Sequence, residues 1–405
     1  MKIHKIITPN FYKKFKCAGS DCLNDCCHGW SIYIDKKTHD KYIHSSDREI
    51  KNTAKESLSL TRKGKNKYSV IRFNENGKCP FFTADKLCKI HQKMGGEALS
   101  KTCANYPRTE GAWGDQLRRN MSMSCSEVAR LVLFEQESML QHEEINLIAS
   151  PTKKNLSHDH RLGEKNQLIY LFAWNLVSAQ SNGIEANLLA LAQFIIYLQR
   201  INFDLSNRLP EVEAFCNELI LALNSGQLTE RSGASEQAAL LKLRAIMAIF
   251  KDDINATVRN LSLRDNYILI AECLEKTDAS DIAAIQAIFA EVNQQWQQLC
   301  TTSCLKEPWV MRNYFLYQIY TSYFPGKDLS LIMRQFYRMV MDYFFLKFSL
   351  SLKSLHQEIN QQDVVELFAD YYQYISHNAL MADKLDKAID EINGGDDLSC
   401  LLLLG

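Results

Sequence analysis

A chain of 405 residues, 46% hydrophobic and 23% charged, has ordinary globular composition and enough apolar content for two domains or one large one, which excludes wholesale disorder. Its 47 basic and 47 acidic residues cancel unevenly: residues 1–125 hold 24 Lys+Arg against 12 Asp+Glu, leaving 23 against 35 for the remainder. The opening MKIHKIITPNFYKKF lacks the unbroken apolar run of a secretory signal, and nowhere do eighteen apolar residues follow one another, so the expectation is a soluble, cytoplasmic protein without membrane or nucleic-acid partners.

The first third reads as a small α+β unit. Ser31-Ile-Tyr-Ile-Asp35 and Tyr68-Ser-Val-Ile-Arg-Phe73 alternate as paired strands, with a polar, helix-like stretch between them. From Lys86 the pattern is short helices and turns around cysteines, with Gly95-Gly96 as a break and Glu97 placed to cap the next helix. From about Ser126 apolar residues recur at three- and four-residue spacing almost throughout, and the polar stretches near 150–164 and 229–235 read as loops. The predicted fold is therefore mainly α: a cysteine-rich α+β metal-binding head over residues 1–130 and a large all-helical domain over 131–405. The aromatic run from Trp309 to Phe345 reads as core, with a wall of ring faces around a cation as the alternative. The terminal CLLLLG reads as a helix end or packed tail.

Eight of the thirteen cysteines (Cys17, Cys22, Cys26, Cys27, Cys79, Cys88, Cys103 and Cys125) fall in the first third, while Cys216, Cys273, Cys300, Cys304 and Cys400 are scattered through helical pattern as small buried hydrophobes. In a large chain without an export signal this density favours metal binding or catalysis over disulfides. Cys-x4-Cys-x3-Cys-Cys, then CPF, LCKIH, TCANYPR and SC, offers soft thiolates suited to zinc or an iron–sulfur cluster; the opening is one residue longer than the Cys-x4-Cys-x2-Cys run of plant-type ferredoxins, and no Cys-x2-Cys pair of the zinc-finger kind exists. Adjacent Cys26 and Cys27 point to opposite faces in extended chain, which argues for two centres or for one centre and a spare thiol. His28, His39, His44 and His91 are further possible ligands. The lysines of the basic third either meet an anionic partner or offset thiolates. No Gly-x-Gly-x-x-Gly, P-loop, Gly-x-Ser-x-Gly or Cys-x3-Cys-x2-Cys motif occurs, so dinucleotide, nucleotide, serine-hydrolase and radical chemistry gain no support.

Taken together, FKCAGSDCLNDCCHGW with SIYID, CPF with LCKIHQKMGGEALSKTCANYPR, and SMSCSEVARL resemble the flagellin lysine-N-methylase (FliB) family across about the first 130 residues. The resemblance implies a cytoplasmic enzyme that moves methyl groups from S-adenosylmethionine to surface lysines of flagellin and depends on an iron–sulfur cluster, of the 4Fe-4S kind, held by the eight cysteines. In that setting Arg108 offers a bidentate fork to the donor's carboxylate, with a structural salt bridge as the alternative, and Tyr106 and Trp30 flank cysteines where they could stack on adenine or shield a cluster, with core packing as the alternative for each. The competing reading is a zinc-stabilised, non-enzymatic adaptor whose helices bind a partner protein.

Overall fold

The two alternating segments of the head do pair. A computed structural model describes residues 2–23, 26–27, 31–75, 77–113, 116–148, 158–160, 163–228, 235–250, 261–275, 281–377, 379–393 and 398–405. Its strands in chain order are β1 (Lys2–Pro9), β2 (Tyr33–Ile34), β3 (Leu58–Leu60), β4 (Ser69–Ile71), β5 (Arg108–Trp113), β6 (Gln116–Met121), β7 (Gln141–Ile148) and β8 (His158–His160). A small antiparallel sheet of order β2-β4-β3 sets Tyr33 opposite Val70, as the alternation predicts. The polar stretch between these strands divides into helices Lys36–Ile43 and Arg48–Ser57, because the Asp35 and Asp47 carboxylates each accept a backbone N–H of a new first turn. Helix Lys89–Met94 ends at Gly95, whose φ of 79° lies where a side chain would be strained. The following helix, Lys101–Asn105, is capped by Ser100 and not by Glu97, since the Ser100 hydroxyl accepts the Cys103 N–H.

A second, five-stranded sheet has the order β7-β1-β6-β5-β8. Strand β1 lies between partners far away in sequence, parallel to β6 and antiparallel to β7. Ile6, Ile7 and Thr8 are consecutive and all buried, so both faces of β1 are covered. This sheet corrects the expectation of an all-helical chain after residue 130, because β7 and β8 come from that part. QHEEINLI is rich in helix formers, yet eight residues of it pair with β1, and tertiary pairing overrides propensity.

The remainder is helical, so the chain is mainly α with small sheets contributed mostly by its first third. Helix Trp309–Thr321 ties the body to the sheet: Tyr317 donates to Met121 O and accepts from Met123 N, both at 2.9 Å, and Tyr320 Oη lies 2.9 Å from Arg119 O. The aromatic run is core, with Phe315, Tyr317, Tyr320, Phe336 and Tyr343 fully buried among helices. The CLLLLG tail forms a short 3-10 turn whose Cys400, Leu403 and Leu404 are buried in the same core. Of the two stretches expected as loops, the first contains β8, and residues 149–157, 161–162 and 229–234 lie outside the described residues.

Inside the body the buried Asp342 accepts from Tyr371 Oη at 2.8 Å and from Gln318 Nε2 at 3.4 Å. Burial raises its carboxyl to about 7 from the ordinary 3.8, against the Tyr371 hydroxyl, the Arg338 charge and Gln318. The folded protein therefore holds a proton that the unfolded chain releases near pH 4, and stability contributed by this group falls as pH rises from about 4 to 7. Asp342→Asn should flatten that slope and gain on the order of 2 kcal/mol at pH 8 while changing little at pH 4. Urea midpoints at the two pH values check this, and an unchanged slope counts against it.

Candidate metal centre

Four cysteines meet in the small core of the head. Cys79 is buried there, and Cys27, Cys88 and Cys103 pack against it alongside Phe81 and Ile90. The Cys79 N–H donates to Cys27 O at 2.8 Å, which stitches the first cysteine loop to the second. Hydrogen bonds with the Cys26 and Cys79 side chains, then burial, push the Cys27 thiol far up. Cys88 stands at the N-terminus of helix Lys89–Met94; burial raises its thiol, and the nearby His91 and Ile90 amides oppose the rise. Burial pushes Cys103 up to about 12, with the Ser100 hydroxyl opposing and Cys79, Cys88 and Cys26 adding to it.

A second group lies towards the body. Cys125 stands at the N-terminus of helix Ser126–Phe134, and burial pushes its thiol up to about 12 against the Val128 and Glu127 amides, with Cys22 and Cys26 in electrostatic reach. Cys22 Sγ lies 3.4 Å from Ser126 Oγ. Tyr106 Oη lies 3.0 Å from Ser124 Oγ, and burial, then the neighbouring Cys125, Cys26 and Cys22, hold its phenol well above the ordinary range. Cys26 thus stands between the two groups, while Cys17 is exposed.

The remaining expected site residues are placed differently. Arg108 is exposed, with its guanidinium 5.1 Å above the Phe15 ring and a hydrogen bond to Tyr12. Trp30 and His28 lie outside the described residues. His39 is buried against Ser69, His44 bonds the Asp40 carbonyl and His91 is exposed on its short helix. The donors suit a soft centre in type: sulfurs, two of them at helix N-termini with amide N–H groups nearby. Among the described residues, however, no three His, Cys, Asp or Glu side chains stand in metal-holding geometry. The sulfurs are gathered without converging on a point.

Sequence reasoning missed Arg118. This residue of β6 is fully buried, with its guanidinium carbon 3.5 Å from the Trp113 ring centroid, 4.4 Å from Tyr170 and 5.0 Å from Tyr320, and its Nε and Nη1 have no hydrogen-bond partner among the described residues. The ring faces compensate part of the cation's desolvation. Strand alternation could have placed Arg118 on an inward face, but strand β6 itself was not expected.

The description "FliB lysine N-methylase C-terminal domain" matches residues 170–404. The chain belongs to the FliB lysine N-methylase family. It is 26% identical over 411 residues to a lysine-N-methylase of Salmonella typhimurium strain LT2, and equally to one of Salmonella choleraesuis strain SC-B67, across the full length of both chains in each case. It is also 34% identical over 140 residues to the flagellar biosynthetic protein FliU of Salmonella muenchen, covering 34% of this chain and 83% of that protein. No solved structure matches. The FliB match falls on the helical body and leaves the thiol groups outside it, so the family likeness expected from the cysteine motifs is independently carried by the other part of the chain.

Proposed function

We propose that this FliB-family protein is a protein-lysine N-methyltransferase that uses S-adenosylmethionine, acts on lysines of flagellin in the cytoplasm, and relies on an iron–sulfur cluster held by Cys27, Cys79, Cys88 and Cys103. The observation that carries the cluster assignment is the packing of these four cysteines around one small core, with the exposed Cys26 hydrogen-bonded to Cys27 beside it. Lysine methylation is supported by the names of the full-length relatives, and a flagellar context by the name of FliU.

When bound, such a cluster supplies a soft, charge-delocalising centre beside the donor or braces the head. The transfer itself needs a neutral lysine amine. Its ammonium proton leaves to solvent, the nitrogen lone pair attacks the methyl carbon, and the sulfur–methyl bond breaks as the nitrogen–methyl bond forms, leaving a neutral thioether. Holding amine and methyl in line is worth more than any single polar contact. Arg108, with no carboxylate partner among the described residues, is the group for the donor's carboxylate, and Tyr106 beside it closes the thiol group from water. Among the described residues no helix is long and apolar enough to cross a membrane.

The test is incubation of anaerobically purified protein with flagellin and S-adenosylmethionine, followed by mass spectrometry of lysine peptides. Additions of one to three methyl groups are expected. Donor-independent or absent addition by iron-loaded protein removes the reading.

A further inference from the structure

The head carries an open cleft of about 360 Å³ between helices Lys36–Ile43 and Arg48–Ser57, on which none of the chemistry above draws. That volume falls within the range of ligand-binding sites. Its polar lining is entirely basic: His39, His44, Lys51 and Lys55. His39 Nδ1 is held by Ser69 Oγ at 2.9 Å and His44 Nδ1 by Asp40 O at 2.9 Å, which leaves each ring's Nε2 without a partner among the described residues.

Three of the acidic groups nearby are already taken. Asp40 pairs with Lys36 at 2.7 Å, Asp47 with Lys93 at 3.2 Å, and Glu49 with both Lys89 and Lys93. Lys51 and Lys55, one helical turn apart, form no ion pair among the described residues, and like charges at this spacing repel. The rest of the wall is aliphatic, from Ile43, Ala54 and Leu58, and Leu60 stands 66% exposed at the rim. Two unpaired ammonium groups over an aliphatic floor, in a third of the chain with twice as many basic as acidic residues, match carboxylates carried on an apolar chain. An exposed leucine beside them favours a peptide over a free anion, because an inorganic ion leaves that surface wet.

We propose that this cleft docks an acidic, leucine-containing peptide segment of a protein partner. Identifying that partner with the protein substrate rests on the function proposed above, whereas the docking itself does not. Docking raises the local concentration of a substrate without touching the reacting atoms, so its loss falls on KM and leaves kcat unchanged.

The experiment measures fluorescence anisotropy of a labelled peptide of alternating glutamate and leucine against the full chain, without methyl donor, and compares Lys51→Glu/Lys55→Glu with the parent. The expected result is a dissociation constant raised roughly tenfold or more by the double reversal, affinity that weakens with added salt, and, in a separate flagellin assay, a raised KM at constant kcat. Lys51→Gln/Lys55→Gln gives an intermediate loss, which separates charge from misfolding. Peptide affinity unchanged in the double reversal overturns the proposal. So does displacement of the peptide by inorganic phosphate at equal charge concentration, which assigns a free-anion site, or salt-sensitive self-association of the chain through the same residues, which assigns a second copy. A chain that binds the peptide in this way but methylates nothing retains the docking and loses the methyltransferase reading; methylation with KM unchanged in the double reversal retains that reading and overturns the identification of the docked partner with the substrate.

Discussion

Cys79→Ser protein, purified without oxygen, should hold roughly a tenth or less of the iron and inorganic sulfide of the parent chain. Cys79 is the most buried of the four thiols in the head core and the one bonded through its backbone to the Cys27 loop, so its loss removes a ligand and unbraces a second. Cys17→Ser should keep the full complement, since that side chain lies exposed outside both thiol groups. Cys125→Ser should also keep it, because Cys125 packs against the body core instead. Elemental analysis of the three variants, with far-ultraviolet circular dichroism as the folding control, reads the outcome. Full iron in Cys79→Ser defeats the four-thiol assignment. Zinc in place of iron in the anaerobic parent supports the adaptor reading.

Phe315→Ala should cost about 3–5 kcal/mol of stability. The ring is fully buried in helix Trp309–Thr321, edge-on to Tyr314 at 5.3 Å and to Tyr343 at 5.5 Å, so truncation opens a cavity and deletes two aromatic contacts. The same helix carries Tyr317 and Tyr320 to the sheet, so damage there also loosens the link between body and head. The urea midpoint measures the loss, and Phe315→Leu should recover most of it. A loss below about 1 kcal/mol would mean that the surrounding helices collapse onto the gap.

The β2–β4 pairing, the packed tail and the aromatic core were legible because each depends on local composition or short-range alternation. Strand β1 was not. KIHKIITP interleaves lysine with isoleucine and gains its strand character from residues 116–118 and 141–148, which no local window contains. Grouping of the thiols was hidden for a similar reason: the adjacency of Cys26 and Cys27 shows that one centre cannot easily take both, but which sulfurs join Cys27 depends on the long-range bond from Cys79. The charge imbalance was visible in composition, whereas the pairing of Asp40, Asp47 and Glu49 with other lysines, which leaves Lys51 and Lys55 without an ion pair among the described residues, required coordinates. Arg118 was illegible on both counts, being a charge within a basic segment that folds into the interior.

The position of β1 also orders events during synthesis. It emerges from the ribosome about 130 residues ahead of β7, which closes its second edge, a delay on the order of ten seconds at ordinary rates of translation. For that interval an isoleucine-rich segment is exposed in the nascent chain with its backbone donors and acceptors unmatched. Lys2 and Lys5 within the strand, and Pro9 at its end, are the residue types that discourage such a segment from pairing with a neighbouring chain. The lysines that kept this segment from reading as a strand thus protect it until its partners have been made.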